Sequence, residues 1–107
     1  MTDEELLTLA AKAADIEHGA DRLYCGLSLT ERDGRHRSLP QWNPLTDDGD
    51  ALRLAVALGL MIAPSLGMTS VGPESGSGEV TEPHSGDPLA ATRRAIVRAA
   101  AQIGQSQ

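Results

Sequence analysis

The chain has 107 residues, with 15 acidic against 9 basic side chains and a formal net charge of −6. At this length folding buries somewhat more than ~60% of the unfolded chain's surface, which suits one core and a single domain over residues 1–107. Aromatics make up 2% of the residues, Tyr24 and Trp42 being the whole supply, so the core must be Leu, Ala, Val and Ile, and the acid excess without stacking faces argues against direct nucleic-acid binding.

Thr2-x-x-Glu5 is a capping-box pattern, and Leu6, Leu7, Leu9, Ala10, Ala13 and Ala14 recur at helical spacing, which predicts a helix from about Asp3 to Ala14. Its acids sit at the favourable end of the helix dipole. After the break at His18 to Asp21, Leu23, Cys25, Leu27 and Leu29 alternate strictly, predicting a strand with one apolar face over 23–30. Asp33-Gly34 is a hairpin dipeptide, so Arg35 to Leu39 is expected to return antiparallel. Pro40 to Pro44 is irregular, because proline removes a donor and restricts the residue before it.

Thr46 or Asp47 opens a second helix, with Asp47, Asp48 and Asp50 in its first turn, a wide apolar face of Leu52, Leu54, Ala55, Val56 and Leu58, and Gly59 just past its end. Leu60 to Ala63 reads as a buried strand. Residues 64–78 read as a flexible Gly/Ser/Pro-rich loop region in which only Met68 to Val71 is able to form a strand. Glu79 to Glu82 is the last strand. Asp87-Pro88 starts the third helix, an acceptor followed by proline at the first helical position. Its buried stripe is expected to be Leu89, Thr92, Ile96, Ala99, Ala100 and Ile103, with Arg94 and Arg98 outward, Thr92 bonding back to the preceding turn, and an end near Gly104. The predicted class is α+β: a small antiparallel sheet packed between helices, a three-layer α/β/α sandwich of order roughly α-β-β-α-β-β-β-α.

Two stretches are more specific. Gln41 to Leu60, which reads WNPL-T-D-D-G-D-ALRLAVALG from Trp42 to Gly59, and Asp87 to Ala101, which ends in ATRRAIVRAAA, resemble the small phage and prophage proteins grouped as the phage ABA sandwich domain. The opening EELLTLAAKAA fits that family too, while Pro64 to Gly78 departs from its pattern. The resemblance implies a three-layer helix/sheet/helix fold and a phage or prophage origin. It implies no activity, because activity does not define the family.

Trp42-Asn43-Pro44 and the three following aspartates carry two readings. As a partner-binding edge, Trp42 is the anchor and Asn43, Asp47, Asp48 and Asp50 stand beside it. As local structure, Trp42 closes the core, Asn43 caps a first turn and the aspartates satisfy orphan helix N–H groups, which explains nearly every residue. A Ca²⁺ loop lacks the EF-hand spacing and closing Glu. Arg93, Arg94 and Arg98 likewise read as an anion site with planar bidentate forks, or as a solvated face paired with neighbouring acids; the weaker basic run Arg32, Arg35 and Arg37 flanks the hairpin.

Catalytic and metal signals are weak. In His84-Ser85-Gly86-Asp87 the serine and aspartate are more simply helix-capping groups, and His18, His36 and His84 lack zinc spacing. Cys25 lies on an apolar strand face, the place of an inert thiol, and as a lone cysteine fits a reducing compartment. Gly72, Gly76 and Gly78 lack the Lys-Ser/Thr of a P-loop. The N-terminus is acidic where a signal peptide is basic, and the longest apolar run, Leu54 to Pro64, is about half the length of a membrane span. The expectation is a non-enzymatic accessory protein of the host cytoplasm, without cofactor or metal, that binds and inhibits a host protein, in particular a defence component as anti-CRISPR factors do. The alternative is a homo-oligomeric sponge for a nucleotide signal, a homodimer or larger, with the arginines on phosphate and Trp42 on a base.

Overall fold

The computed structural model describes residues 2–18, 43–74 and 78–106. The strand expected over 23–30, its Asp33-Gly34 hairpin, Arg32, Arg35, Arg37, Cys25, His36 and Trp42 lie outside the described residues. Six elements remain: helix α1 (Asp3–His18), helix α2 (Asp48–Leu58), strands β1 (Leu60–Pro64), β2 (Met68–Pro73) and β3 (Val80–Pro83), and helix α3 (Pro88–Gln105).

Local chemistry places the helix ends. The Thr2 hydroxyl accepts from the Glu5 N–H at 3.1 Å while the Glu5 carboxylate accepts from the Thr2 N–H at 3.3 Å, a reciprocal capping box. The Asp47 carboxylate caps α2 through the Asp50 N–H, and Gly59 ends that helix in the left-handed region at φ 66°. Asp87 caps α3 through the Ala90 N–H, with Pro88 in the first turn. α1 runs to His18, one turn beyond the expected Ala14.

The strands form one antiparallel sheet in the order β1-β2-β3, with Ile62 opposite Val71 and Val71 opposite Val80. β2, inside the stretch that reads as loop, is the central strand and extends two residues past Val71. Period two then gives the sheet two unlike faces. Thr69, Val71 and Val80 point inward and are buried; Met61, Ala63, Met68, Thr81 and Pro83 point outward and are exposed. β1 is therefore a half-exposed edge rather than the buried strand expected.

Helices and antiparallel strands combine as the α+β class requires, with a layering of their own. α3 covers the inner face of the sheet, and α1 packs on the far side of α3 against α2 as well, so α3 is the middle layer of the described structure. That position explains why its burial exceeds one stripe: Ala91, Ala95, Ile96, Val97, Ala99, Ala100, Ala101 and Gly104 are all buried, on two faces. Leu89, expected in the stripe, is 62% exposed in the first turn. On α2 the apolar face is narrower than predicted: Ala51, Leu54 and Ala55 are buried, while Leu52 and Val56 face solvent.

The core joins Leu6, Ala10 and Ala14 of α1 to Leu54, Val71, Val80, Ile96, Val97 and Ala100. Alanine dominates it, so α1 and α3 approach closely rather than interlock through long side chains. Leu54, Val71 and Val97 are its largest fully buried apolar side chains, each contributing on the order of 1.5–3 kcal/mol. Among the described residues no helix is long and apolar enough to cross a membrane.

Candidate functional site

Residues 43–50 form a turn closed on itself. The Asn43 side-chain oxygen accepts from the Leu45 N–H at 3.0 Å, and its backbone carbonyl accepts from the N–H groups of Thr46 and Asp47. Asp50 reaches back to accept from the Asn43 N–H at 2.9 Å and holds Arg53 at 2.8 Å. With 8% exposure Asp50 is an interior residue, compensated by these charge-assisted bonds. Asp47 is spent on the helix cap, and Asp48 pairs with Arg93 at 2.6 Å. All four residues of the expected binding edge that are described therefore have structural partners.

The arginines of α3 are likewise engaged. Arg93 donates its Nε–H to the Leu45 carbonyl at 2.8 Å while its fork holds Asp48, which ties α3 to the 43–46 turn. Arg94 pairs with Asp3 of α1 at 3.0 Å, and Arg98 pairs with Glu82 of β3. Arg94 and Arg98 keep about two fifths of their side-chain surface in solvent, as a solvated pairing face does. The three side chains reach to three different elements or turns, so they do not converge on a common point.

The start of α3 contains the most organised polar group. Thr69 of β2 is fully buried, and its hydroxyl lies 2.8 Å from both His84 Nε2 and the Thr92 hydroxyl. Thr92 donates to the Pro88 carbonyl at 2.8 Å, as expected from its helical position. One proton per hydroxyl then fixes the direction of the chain. Thr92 spends its proton on Pro88, so it accepts from Thr69, and Thr69 in turn accepts from Nε2–H of His84. The His84 Nδ1 lies 3.3 Å from the Leu66 carbonyl, and the His84 N–H donates to the Gly67 carbonyl. Ser85, at φ 45°, and Gly86, at φ 94°, then turn the backbone so that Asp87 can cap α3.

Beside this corner lies a surface cleft of about 400 Å³, between Asp3, Thr46, Glu82, His84, Asp87 and Arg94. Its charges are already compensated: Asp3 holds Arg94, Glu82 holds Arg98, and Asp87 is the helix cap. His84-Ser85-Gly86-Asp87 thus builds a strand-to-helix junction. Among the described residues no three His, Cys, Asp or Glu side chains are grouped to hold a metal ion.

Outside these clusters, large apolar side chains stand unengaged. Met61 and Met68 are 60% and 48% exposed on the outer sheet face, flanked by Ala63 and Pro83, and Leu66 stands free at the β1–β2 turn. Leu52 and Val56, one turn apart, form a smaller patch on α2. Sequence reasoning missed the outer face because it read the segment by its Gly, Ser and Pro content. The alternation Met68-Thr69-Ser70-Val71-Gly72 was the available signal. Comparison with family models, curated proteins and solved structures gave no match.

Proposed function

We propose that the chain is a non-catalytic binding protein that acts by covering a surface of a host protein. The narrower form, to which the sequence resemblance lends its only support, is a phage or prophage accessory factor directed at a host defence component in the manner of an anti-CRISPR inhibitor. One observation carries the binding reading: the charged residues of both candidate clusters that are described are held in caps and ion pairs, while large apolar side chains stand in solvent on one sheet face. Apolar patches of this kind mark protein contacts.

Affinity purification of the full chain from a bacterial host lysate, joined to phage plating on strains carrying defined defence systems, tests both forms. The expected result is one stoichiometric protein partner, and higher plating efficiency on the strain whose defence system contains it. A purified chain that retains no stoichiometric partner overturns the reading. A partner unrelated to defence, with unchanged plating, overturns the narrower form alone.

A further inference from the structure

We infer that the outer face of the β1-β2-β3 sheet is the docking surface, and that its partner is a protein segment with apolar side chains at its centre and lysine or arginine at its edge. The inference rests on the protein-binding reading above. Met61, Ala63, Met68 and Pro83 give the face its apolar content, and Ser70 and Thr81, 3.1 Å apart through their hydroxyls, satisfy each other across the strands. No described element covers it: α3 lies on the inner face, where Thr69 bonds Thr92 and Glu82 pairs with Arg98.

Charge gives the partner's chemistry. Among the described side chains, the carboxylates with neither a cation nor a helix cap are Glu4, Glu74 and Glu79. Two of these three stand at one end of the outer face. Glu79 crosses over Gly72, its Cα only 3.1 Å from where a Cβ on Gly72 would sit, and Glu74 follows Pro73 at the end of β2. The described cations, Lys12, Arg53, Arg93, Arg94 and Arg98, all lie on helices. Among the described residues a second copy brings no cation from its own sheet face to Glu74 and Glu79, whereas a basic-edged partner meets them with opposite charge and is steered by the net charge of −6. β-Strand addition at the sheet edges is disfavoured, because β1 and β3 are four or five residues long and each ends in proline.

Methionine methyl groups report on the face directly. The full chain, labelled with ¹³C at its methionine methyls, is titrated with two twelve-residue synthetic peptides, one alternating Leu and Lys, the other Leu and Glu. The expected result is that the Met61 and Met68 signals move with the Lys peptide and stay in place with the Glu peptide. Met61→Lys weakens that binding at least tenfold, and the double change Glu74→Gln with Glu79→Gln weakens it several-fold and flattens its salt dependence. Both variants alter exposed side chains, and an unchanged melting temperature confirms that they fold. Unmoved methionine signals, or equal response to both peptides, overturn the inference. So does movement of the same signals on concentrating the chain alone, which assigns the face to a second copy. A host partner that binds Met61→Lys as tightly as the parent chain also overturns it, while leaving the protein-binding reading intact.

Discussion

Thr69 has no water to fall back on: it is fully buried, and its hydroxyl is the middle of the chain from His84 through Thr92 to the Pro88 carbonyl. Thr69→Val keeps the shape and removes the bridge, leaving His84 Nε2 and the Thr92 oxygen facing a methyl group. Stranding a buried polar group costs on the order of 1–3 kcal/mol. We expect Thr69→Val to lower the unfolding free energy by that amount, read as a lower urea midpoint at an unchanged slope, and the loss to exceed that of Thr92→Val, which leaves Thr69 still facing His84. Equal stability of Thr69→Val and parent would show that the hydroxyl chain carries no energy. When neutral the His84 ring has one proton for two neighbours, and the closer contact, Nε2 to the Thr69 hydroxyl at 2.8 Å against Nδ1 to the Leu66 carbonyl at 3.3 Å, places it on Nε2, which long-range ¹⁵N–¹H spectra read directly. A proton on Nδ1 would reverse the chain.

The contact between α1 and α3 turns on one residue. Gly104 lies in the last turns of α3, where a Cβ would stand 2.1 Å from the Leu9 carbonyl oxygen of α1. Helix propensity alone favours Gly104→Ala by ~1 kcal/mol; a clash with backbone in a packed interior costs roughly 1–3 kcal/mol or more. The obstacle is main chain, which cannot swing aside, so the clash wins. We expect Gly104→Ala to lower the melting temperature by several degrees, roughly 4–8 °C per kcal/mol for a domain of this size. A rise would mean that α1 sits farther from α3 than the structure places it.

How much of the elements could be read beforehand follows the range of the forces that set them. The ends of α2 and α3 were legible because Asp47, Gly59 and the Asp87-Pro88 pair act within one turn of themselves. Asp87→Ala should accordingly cost about 1 kcal/mol in chemical unfolding, the usual size of a lost cap; no loss would mean that solvent serves the Ala90 N–H equally well. Gly104 looked like a helix stop because glycine so often is one, and its actual reason, the approach of α1, comes from residues some ninety positions away. β2 was half legible. Its inward residues Thr69 and Val71 alternate correctly, but Gly72 and Pro73 read as loop until the close approach of Glu79 to Gly72 shows why a side chain would be crowded there. The candidate site was least legible, since the partners of Asp48, Arg93, Arg94 and Arg98 are set by tertiary contacts between elements.

At the scale of the molecule, the described carboxylates divide into paired and unpaired ones. Most described carboxylates are neutralised internally, by arginine or by a helix N-terminus, and the unpaired pair at the sheet end gives the exposed apolar face its sign. This division bears on the competing idea of a nucleotide sponge. An anion approaching Arg93, Arg94 or Arg98 meets a guanidinium already paired with Asp48, Asp3 or Glu82, and the three arginines open toward different neighbours. The paired carboxylate would then stand beside the incoming phosphate, in a chain that already carries six excess negative charges. A ligand held specifically would be easy to see: at a hundred times its Kd it adds about 2.7 kcal/mol, which in a domain of about a hundred residues raises the melting temperature by roughly 10 °C or more. We therefore expect cyclic dinucleotides and ADP-ribose derivatives at millimolar concentration to leave the melting temperature of the full chain within one degree of its value in buffer of equal ionic strength. A shift of the larger size, abolished by Arg94→Gln or Arg98→Gln, would show that the ion pairs open for phosphate, and would move the functional surface from the sheet to α3.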